Sequence, residues 1–233
     1  MSERLPFDPD LILFDLDDTL CDSRLALTRR LRFAFELAAE RSGHGGGLDY
    51  DEMVQQAIEL EQHGVDQFDD LFGRYGLAGA TAATVAREWI MENRLHGLEF
   101  FHDAIETLQA VREARPDRRI GIITNGPAWI QRPKVELLGI GDLVDFVIIS
   151  GEFGVHKPDP TIFREGLRLG SADAARSVFI GDSIENDIGG AHGVGLTTIW
   201  MNLFDLPWPD HIPPPHYTAT TLGDVRRLLT DNK

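Results

Sequence analysis

Apolar positions along this chain follow two rhythms. Short runs rich in Ile, Val, Leu and Phe stand at "LILFD" (11–15), "RIGIIT" (119–124), "DFVIIS" (145–150), "SVFIGD" (177–182) and "LTTIWM" (196–201). Uninterrupted apolar runs of that length are expected of strands buried on both faces. Between the later runs lie helical patterns, at 127–139, 159–169 and 184–193. Strands alternating with helices predict a parallel sheet in a doubly wound α/β fold.

The first interval departs from that rhythm. Helical patterning such as "LALTRRLRFAFELAAERSG" and "TAATVAREWIMENRL" fills it, punctuated by "GHGGG" (43–47) and "RYGLAGA" (74–80). A connection that long needs its own packing. We therefore expect an all-helical cap at 22–95, placed over the end of the first strand, and an α/β core made of 1–21 and 96–233. The stretch "VDQFDDLFGRYG" within the cap reads as an amphipathic helix. "GLEFFHDAIETLQAVREA" leads into the second strand, and the proline-rich "LPWPDHIPPPH" (206–216) forms a rigid loop before a last short strand and a terminal helix.

Composition narrows the function. The formal net charge is −16, and an acidic body repels a phosphate backbone, so a nucleic-acid polymer is not an expected partner. A small phosphorylated ligand would need a local positive site. The chain has a single cysteine, Cys21, which excludes an internal disulfide and suits a reducing cytoplasm. Cys21 reads as a small packing residue. No apolar run reaches the ~20 residues of a membrane span, and "MSERLPFDPD" has no signal-like apolar core. A cytoplasmic protein is expected, and its oligomeric state cannot be read from the sequence.

The chemistry gathers at strand ends. "LILFDLDDTL" puts Asp15, Asp17 and Asp18 directly after a strand. Like charges so close destabilise one another unless something offsets them, and a hard cation such as Mg²⁺ would do so. In open α/β sheets, ligands bind beyond the carboxyl ends of the strands. Thr124 and Asn125 end the second run, and Gly126 and Pro127 open a helix, with proline at its first position. Backbone amides there could stabilise an anion. The loop "SGEFGVHKPDP" carries Lys157, and "GDSIENDIGGA" carries Asp182 and Asp187. Together these groups could hold a Mg²⁺ and a phosphate. Taken singly, Thr124-Asn125-Gly126 would read as a cap and turn, and Asp187 as a helix-start acid favoured by the dipole. Asp18 is expected to point away from the site, as a local hydrogen-bonding residue. His156 is expected to line a loop.

"DLDDT", "TNG", "GVHKPDP" and "GDSIENDI", in that order and each at a strand end, resemble the phosphatase members of the haloacid dehalogenase superfamily. The resemblance covers nearly the whole chain, with a helical cap inserted after the first strand. It implies a Rossmann-like core and Mg²⁺ as cofactor. It also implies Asp15 as a nucleophile that becomes an aspartyl-phosphate, and Asp17 as the acid that serves the leaving group and then the base for water. Asp15, the carbonyl of Asp17 and Asp182 are the implied metal ligands, with Asp187 supporting Asp182 or binding through water. Thr124, Asn125, Gly126 and Lys157 are the implied phosphoryl-binding set, with Thr124 and Lys157 also serving catalysis. A small phosphorylated metabolite is the expected substrate; "TNGPAWIQRPKVELLGI" and the segment from Gly181 lean towards nucleoside monophosphates or phosphorylated sialic acid. A hydrolytic dehalogenase or a phosphomutase of the same superfamily, and a non-catalytic phosphate-binding module, are the alternatives. Asp17 and the Asp182–Asp187 pair argue against the dehalogenase.

Overall fold

A computed structural model describes residues 5–44, 46–62, 68–77 and 80–230. These divide into two compact units, one of residues 1–22 and 99–233, the other of residues 23–98.

The first unit is built on a six-stranded parallel sheet: β1 (Leu11–Phe14), β2 (Arg119–Thr124), β3 (Phe146–Ile149), β4 (Ser177–Gly181), β5 (Thr197–Met201) and β6 (Tyr217–Ala219). The order across the sheet is β3-β2-β1-β4-β5-β6, with Leu11 in register with Arg119 on one side and Ser177 on the other. Strand order therefore reverses at β1, and the crevice at such a point is where this class of sheet takes its ligands. The expected doubly wound fold is present.

Burial on both faces explains the apolar runs. Leu11, Leu13, Ile123 and Phe179 join a cluster with Ile162 and Phe163 of α8 (Pro160–Gly170). The alternate residues Ile12, Phe14, Ile122 and Ile180 turn to the other face and are equally buried. The remaining helices of this unit are α5 (Ala104–Ala114), α6 (Ala128–Leu137), α7 (Ser150–Phe153), α9 (Gly190–Gly193) and α10 (Leu222–Thr230). The chain leaves and returns along paired backbones: Asp22 N–H donates to Glu99 O and Phe101 N–H to Leu20 O.

The second unit holds α1 (Ser23–Arg41), α2 (Tyr50–Gln62), α3 (Phe68–Arg74) and α4 (Ala80–Glu92). Its own core is formed by Leu31, Phe35, Met53, Leu71, Phe72 and Ala83, with Phe35 edge-on to Phe72 at 5.1 Å. The amphipathic stretch expected at 65–76 is helical over Phe68–Arg74; residues 65–67, like Gly45 and residues 78–79 of the expected loops, lie outside the described residues. No described helix is long and apolar enough to cross a membrane.

Candidate active site

β1 ends at Phe14, and Asp15 continues its ladder by donating its N–H to Ile180 O at 2.8 Å. This places the Asp15 carboxyl at the carboxyl edge of the sheet, beside the residues that follow β4. The "KPDP" loop delivers Lys157 to the same point. Asp159 caps α8 by accepting from Thr161 N–H at 2.8 Å, and Pro160 supplies the fixed φ of the first turn. Asn125 fastens the loop from below. Its side chain donates to Lys157 O and accepts from Lys157 N–H, both at 2.9 Å. Asn125 thus lines the cleft but spends its amide on the lysine backbone rather than on the space above.

Lys157 is 4% exposed, with Nζ 2.5 Å from Asp15 Oδ1 and 2.6 Å from Asp187 Oδ1. Burial opposes its charge, but Asp15 and Asp187 outweigh burial and raise its pKa above the ordinary lysine value. Asp15 is also raised, first by burial and then, against the pull of Lys157, by Asp187, Asp182 and Asp17. Burial and the charge of Asp187 push Asp182 up to about 7. Both partners of the Asp15–Lys157 pair therefore shift upward. For Asp15 burial leads and the neighbouring carboxylates add to it; for Lys157 the two carboxylates outweigh burial.

Asp187 reaches inward from a π-helix, Ile184–Gly189, in which Ile188 N–H bonds five residues back to Ser183 O. Such bulges often mark functional sites. This is a departure from the regular helix expected over 184–193. Asp187 Oδ2 accepts from Ser183 N–H at 3.1 Å, whereas the buried Oδ1 has only the ion-pair contact with Lys157 and no hydrogen bond. A Cβ at Gly181 would lie 2.3 Å from Asp187 Oδ2, so only glycine admits this approach. Asp15, Asp182 and Asp187 each offer an oxygen, all within 4.8 Å of one another. Hard oxygen donors and mutual repulsion among three carboxylates fit a Mg²⁺ ion.

A family model of haloacid dehalogenase-like hydrolases matches residues 9–195. The chain belongs to that family. It is 33% identical over 199 residues to a glyceraldehyde 3-phosphate phosphatase of Pyrococcus abyssi, covering 82% of this chain and 80% of that one. It is 37% identical over 127 residues to the pyrimidine 5'-nucleotidase YjjG of Escherichia coli, covering 54% of this chain and 55% of that one. Among solved structures, the HAD-hydrolase YfnB of Bacillus subtilis, bound to magnesium, superposes with a TM-score of 0.75 at 23% identity, covering 96% of this chain and 99% of that one.

The cleft of this haloacid dehalogenase-like chain brings together Asp15, Asp17, Thr124, Asn125, Lys157, Asp182 and Asp187. Gly126 is not among the lining residues. Its N–H donates to Ser150 Oγ at 2.9 Å, and so is not offered to an anion as expected. Ser150, read as the end of a strand, instead opens α7 and turns its hydroxyl back; His156 Nδ1 lies 2.8 Å from the same oxygen. Pro127 is the N-cap of α6 rather than its first residue.

Asp18 corrects a further expectation. It lines the cleft and adds to the charge that raises Asp182. Its φ of +54° is left-handed, so the alternation that would have turned it outward does not apply. Cys21 is buried as expected.

Two side chains that the sequence reading passed over reach Asp17. Lys134 Nζ is 2.6 Å from Oδ1, and Gln131 Nε2 is 2.7 Å from Oδ2. The available signal was their spacing, i and i+3 on the helix after "TNG", and the scarcity of lysine. On the far side, Trp200 donates its indole N–H to Asp182 O at 2.9 Å and packs edge-on against Trp208 of the proline-rich loop.

Proposed function

We propose that this chain is a Mg²⁺-dependent phosphohydrolase of small phosphorylated metabolites that works through an aspartyl-phosphate on Asp15. The observation that carries the reading is Lys157, buried between Asp15 and Asp187 beside a third carboxylate, Asp182. That set pairs a nucleophile with a fixed positive charge and an oxygen-only cation site. Mg²⁺, held by Asp15, Asp182 and Asp187 with the Asp17 carbonyl, would supply charge to the phosphoryl oxygens and orient them.

The residues divide the remaining work. An Asp15 oxygen forms a bond to phosphorus as the bond to the leaving oxygen breaks. Asp17 gives that leaving oxygen its proton. It then takes one from the water that attacks the aspartyl-phosphate, releasing inorganic phosphate and restoring Asp15. Lys157 neutralises charge on the transferring group and restrains Asp15. Thr124, whose hydroxyl accepts from Gln131 Nε2 at 2.6 Å, keeps its own proton for a phosphoryl oxygen. Most of the rate gain is then positioning and electrostatics.

The relatives named above act on a sugar-type phosphate and on a pyrimidine nucleotide, which supports a small phosphate monoester without choosing between them. The test is turnover by purified protein on a panel of nucleoside monophosphates, sugar phosphates and triose phosphates, with Mg²⁺ and with excess chelator. Release of phosphate from members of the panel, lost with chelator and lost in Asp15→Asn, is expected. Turnover undiminished by chelator would remove the metal, and turnover by Asp15→Asn would remove the covalent step.

A further inference from the structure

We propose that Gln131 and Lys134 are positioning residues that hold the proton-transfer carboxyl of Asp17 in register with the bond being broken. The proposal rests on the reading of Asp17 as general acid and base. Asp17 follows β1 at a backbone bridge to Cys21, whose thiol makes only a long 3.9 Å contact with Oδ1. The two oxygens are instead gripped separately. Lys134 Nζ lies 2.6 Å from Oδ1 and Gln131 Nε2 lies 2.7 Å from Oδ2. The two donors stand three residues apart on α6, on one helical face, so one rigid element sets both contacts.

Gln131 is itself over-determined. Its Nε2 also reaches Thr124 Oγ1 at 2.6 Å and Asn125 O at 3.0 Å. The Asp17 carboxylate and the Asn125 carbonyl can only accept, which fixes the nitrogen end of the amide towards them. The side chain is 1% exposed, and its Oε1 is buried with no hydrogen bond. Gly126, at φ +140°, makes room: a Cβ there would lie 2.9 Å from Gln131 Cγ. A leucine would fill this space at lower desolvation cost, so packing alone does not explain a half-satisfied buried amide. Orientation of Asp17 and Thr124 together does. A proton-transfer group displaced by about 1 Å can lose on the order of a hundredfold in rate.

The test exploits leaving-group chemistry. An alkyl phosphate expels a basic alkoxide that needs the proton of Asp17, whereas a nitrophenyl phosphate expels a stable phenolate that hardly does. Single-turnover release of the leaving group is measured with Mg²⁺ for Asp17→Asn, Lys134→Met, Lys134→Arg, Gln131→Met and the double variant Asp17→Asn/Lys134→Met. Lys134→Met should slow the alkyl phosphate by about tenfold or more and the nitrophenyl phosphate by less than about threefold, with half-saturation unchanged; Gln131→Met, which also frees Thr124, should slow both, the alkyl phosphate by about tenfold more. Lys134→Arg should recover most of the loss. In the Asp17→Asn background, Lys134→Met should cost less than about a further twofold, because residues acting as one unit are non-additive. Equal losses on both substrates, or a full additional loss in the double variant, would overturn the proposal and leave a structural tie between helix and loop. If Asp17→Asn itself fails to separate the two substrates, the reading of Asp17 falls and the positioning role falls with it. If Asp17→Asn separates them and the α6 variants do not, only the positioning role falls.

Discussion

Replacing Lys157 with methionine should uncouple stability from activity, and Mg²⁺ should restore only the first. Methionine keeps most of the volume and removes the charge. In the metal-free protein it leaves Asp15 and Asp187, which the ammonium meets at 2.5 and 2.6 Å, buried without that charge and with Asp182 beside them. Breaking one side of a buried ion pair costs about 3–5 kcal/mol. For a chain of this size that corresponds to a fall of about 6–20 °C in melting temperature. The loss should be largest at high pH. Asp15 is already raised above its ordinary range, so at low pH it escapes the penalty by taking up a proton.

A saturating divalent cation supplies the missing positive charge and binds the folded state alone, so its stabilisation should be larger in Lys157→Met than in the parent. Turnover should stay about 10²–10³-fold down at saturating Mg²⁺, because the ammonium no longer meets the phosphoryl charge. The assay is a melt followed by tryptophan fluorescence in a Trp89→Phe background. That leaves Trp129, Trp200 and Trp208, all in the unit of residues 99–233, as reporters. Equal metal-free melting of variant and parent would refute the ion-pair account. Equal stabilisation by Mg²⁺ in both would refute the carboxylate cation site. A near-normal rate would refute the role of the lysine on phosphate.

Asp15→Asn should abolish turnover with an unchanged far-ultraviolet circular dichroism spectrum, and measurable phosphate release would contradict the nucleophile. The metal-free protein should lose stability as pH rises from about 4 to about 7. Asp182, pushed to about 7 when folded from an ordinary value of 3.8, keeps in that window a proton that the unfolded chain has shed. The stability present below about pH 4 is therefore lost as pH rises through about 7, Asp182's own share being at most about 4 kcal/mol, and Mg²⁺ should flatten the slope. A flat chelated profile in urea melts would count against it. Gly181→Ala should raise the Mg²⁺ midpoint in a fluorescence titration by about tenfold or more, since a Cβ 2.3 Å from Asp187 Oδ2 must displace that carboxylate; an unmoved midpoint would mean that Asp187 does not serve the cation.

What could be read from the sequence was what the backbone period alone dictates. The apolar runs gave the strands because both sheet faces are covered, and each strand end then fixed where Asp15, Thr124 and Asp182 emerge. The misreadings fall where the chain leaves regular structure. Strand alternation turns Asp18 outward, but β1 stops at Phe14 and Asp18 is itself left-handed. A helix start exposes amides, which points the Gly126 N–H at an anion. Its amide was already taken by Ser150, whose hydroxyl faces back because the third strand ends one residue earlier. Gln131 and Lys134 contact Asp17 across more than a hundred residues of sequence, and only the closure of α6 onto the sheet edge brings them there.

The use of lysine in this cleft has a physical reason. The chain carries three lysines, Lys134, Lys157 and Lys233, against a formal charge of −16, and the first two both point at site carboxylates. An arginine in place of Lys157 would grip one carboxylate with two parallel hydrogen bonds, occupying the lone pairs that a cation needs. The ammonium is a compact charge that touches one oxygen of Asp15 and one of Asp187 and leaves their remaining lone pairs to other partners. Lys134 likewise holds a single oxygen of Asp17, leaving the other to a neutral amide. One ammonium and one amide orient that carboxyl while fixing a single charge beside it, and that is the arrangement α6 provides.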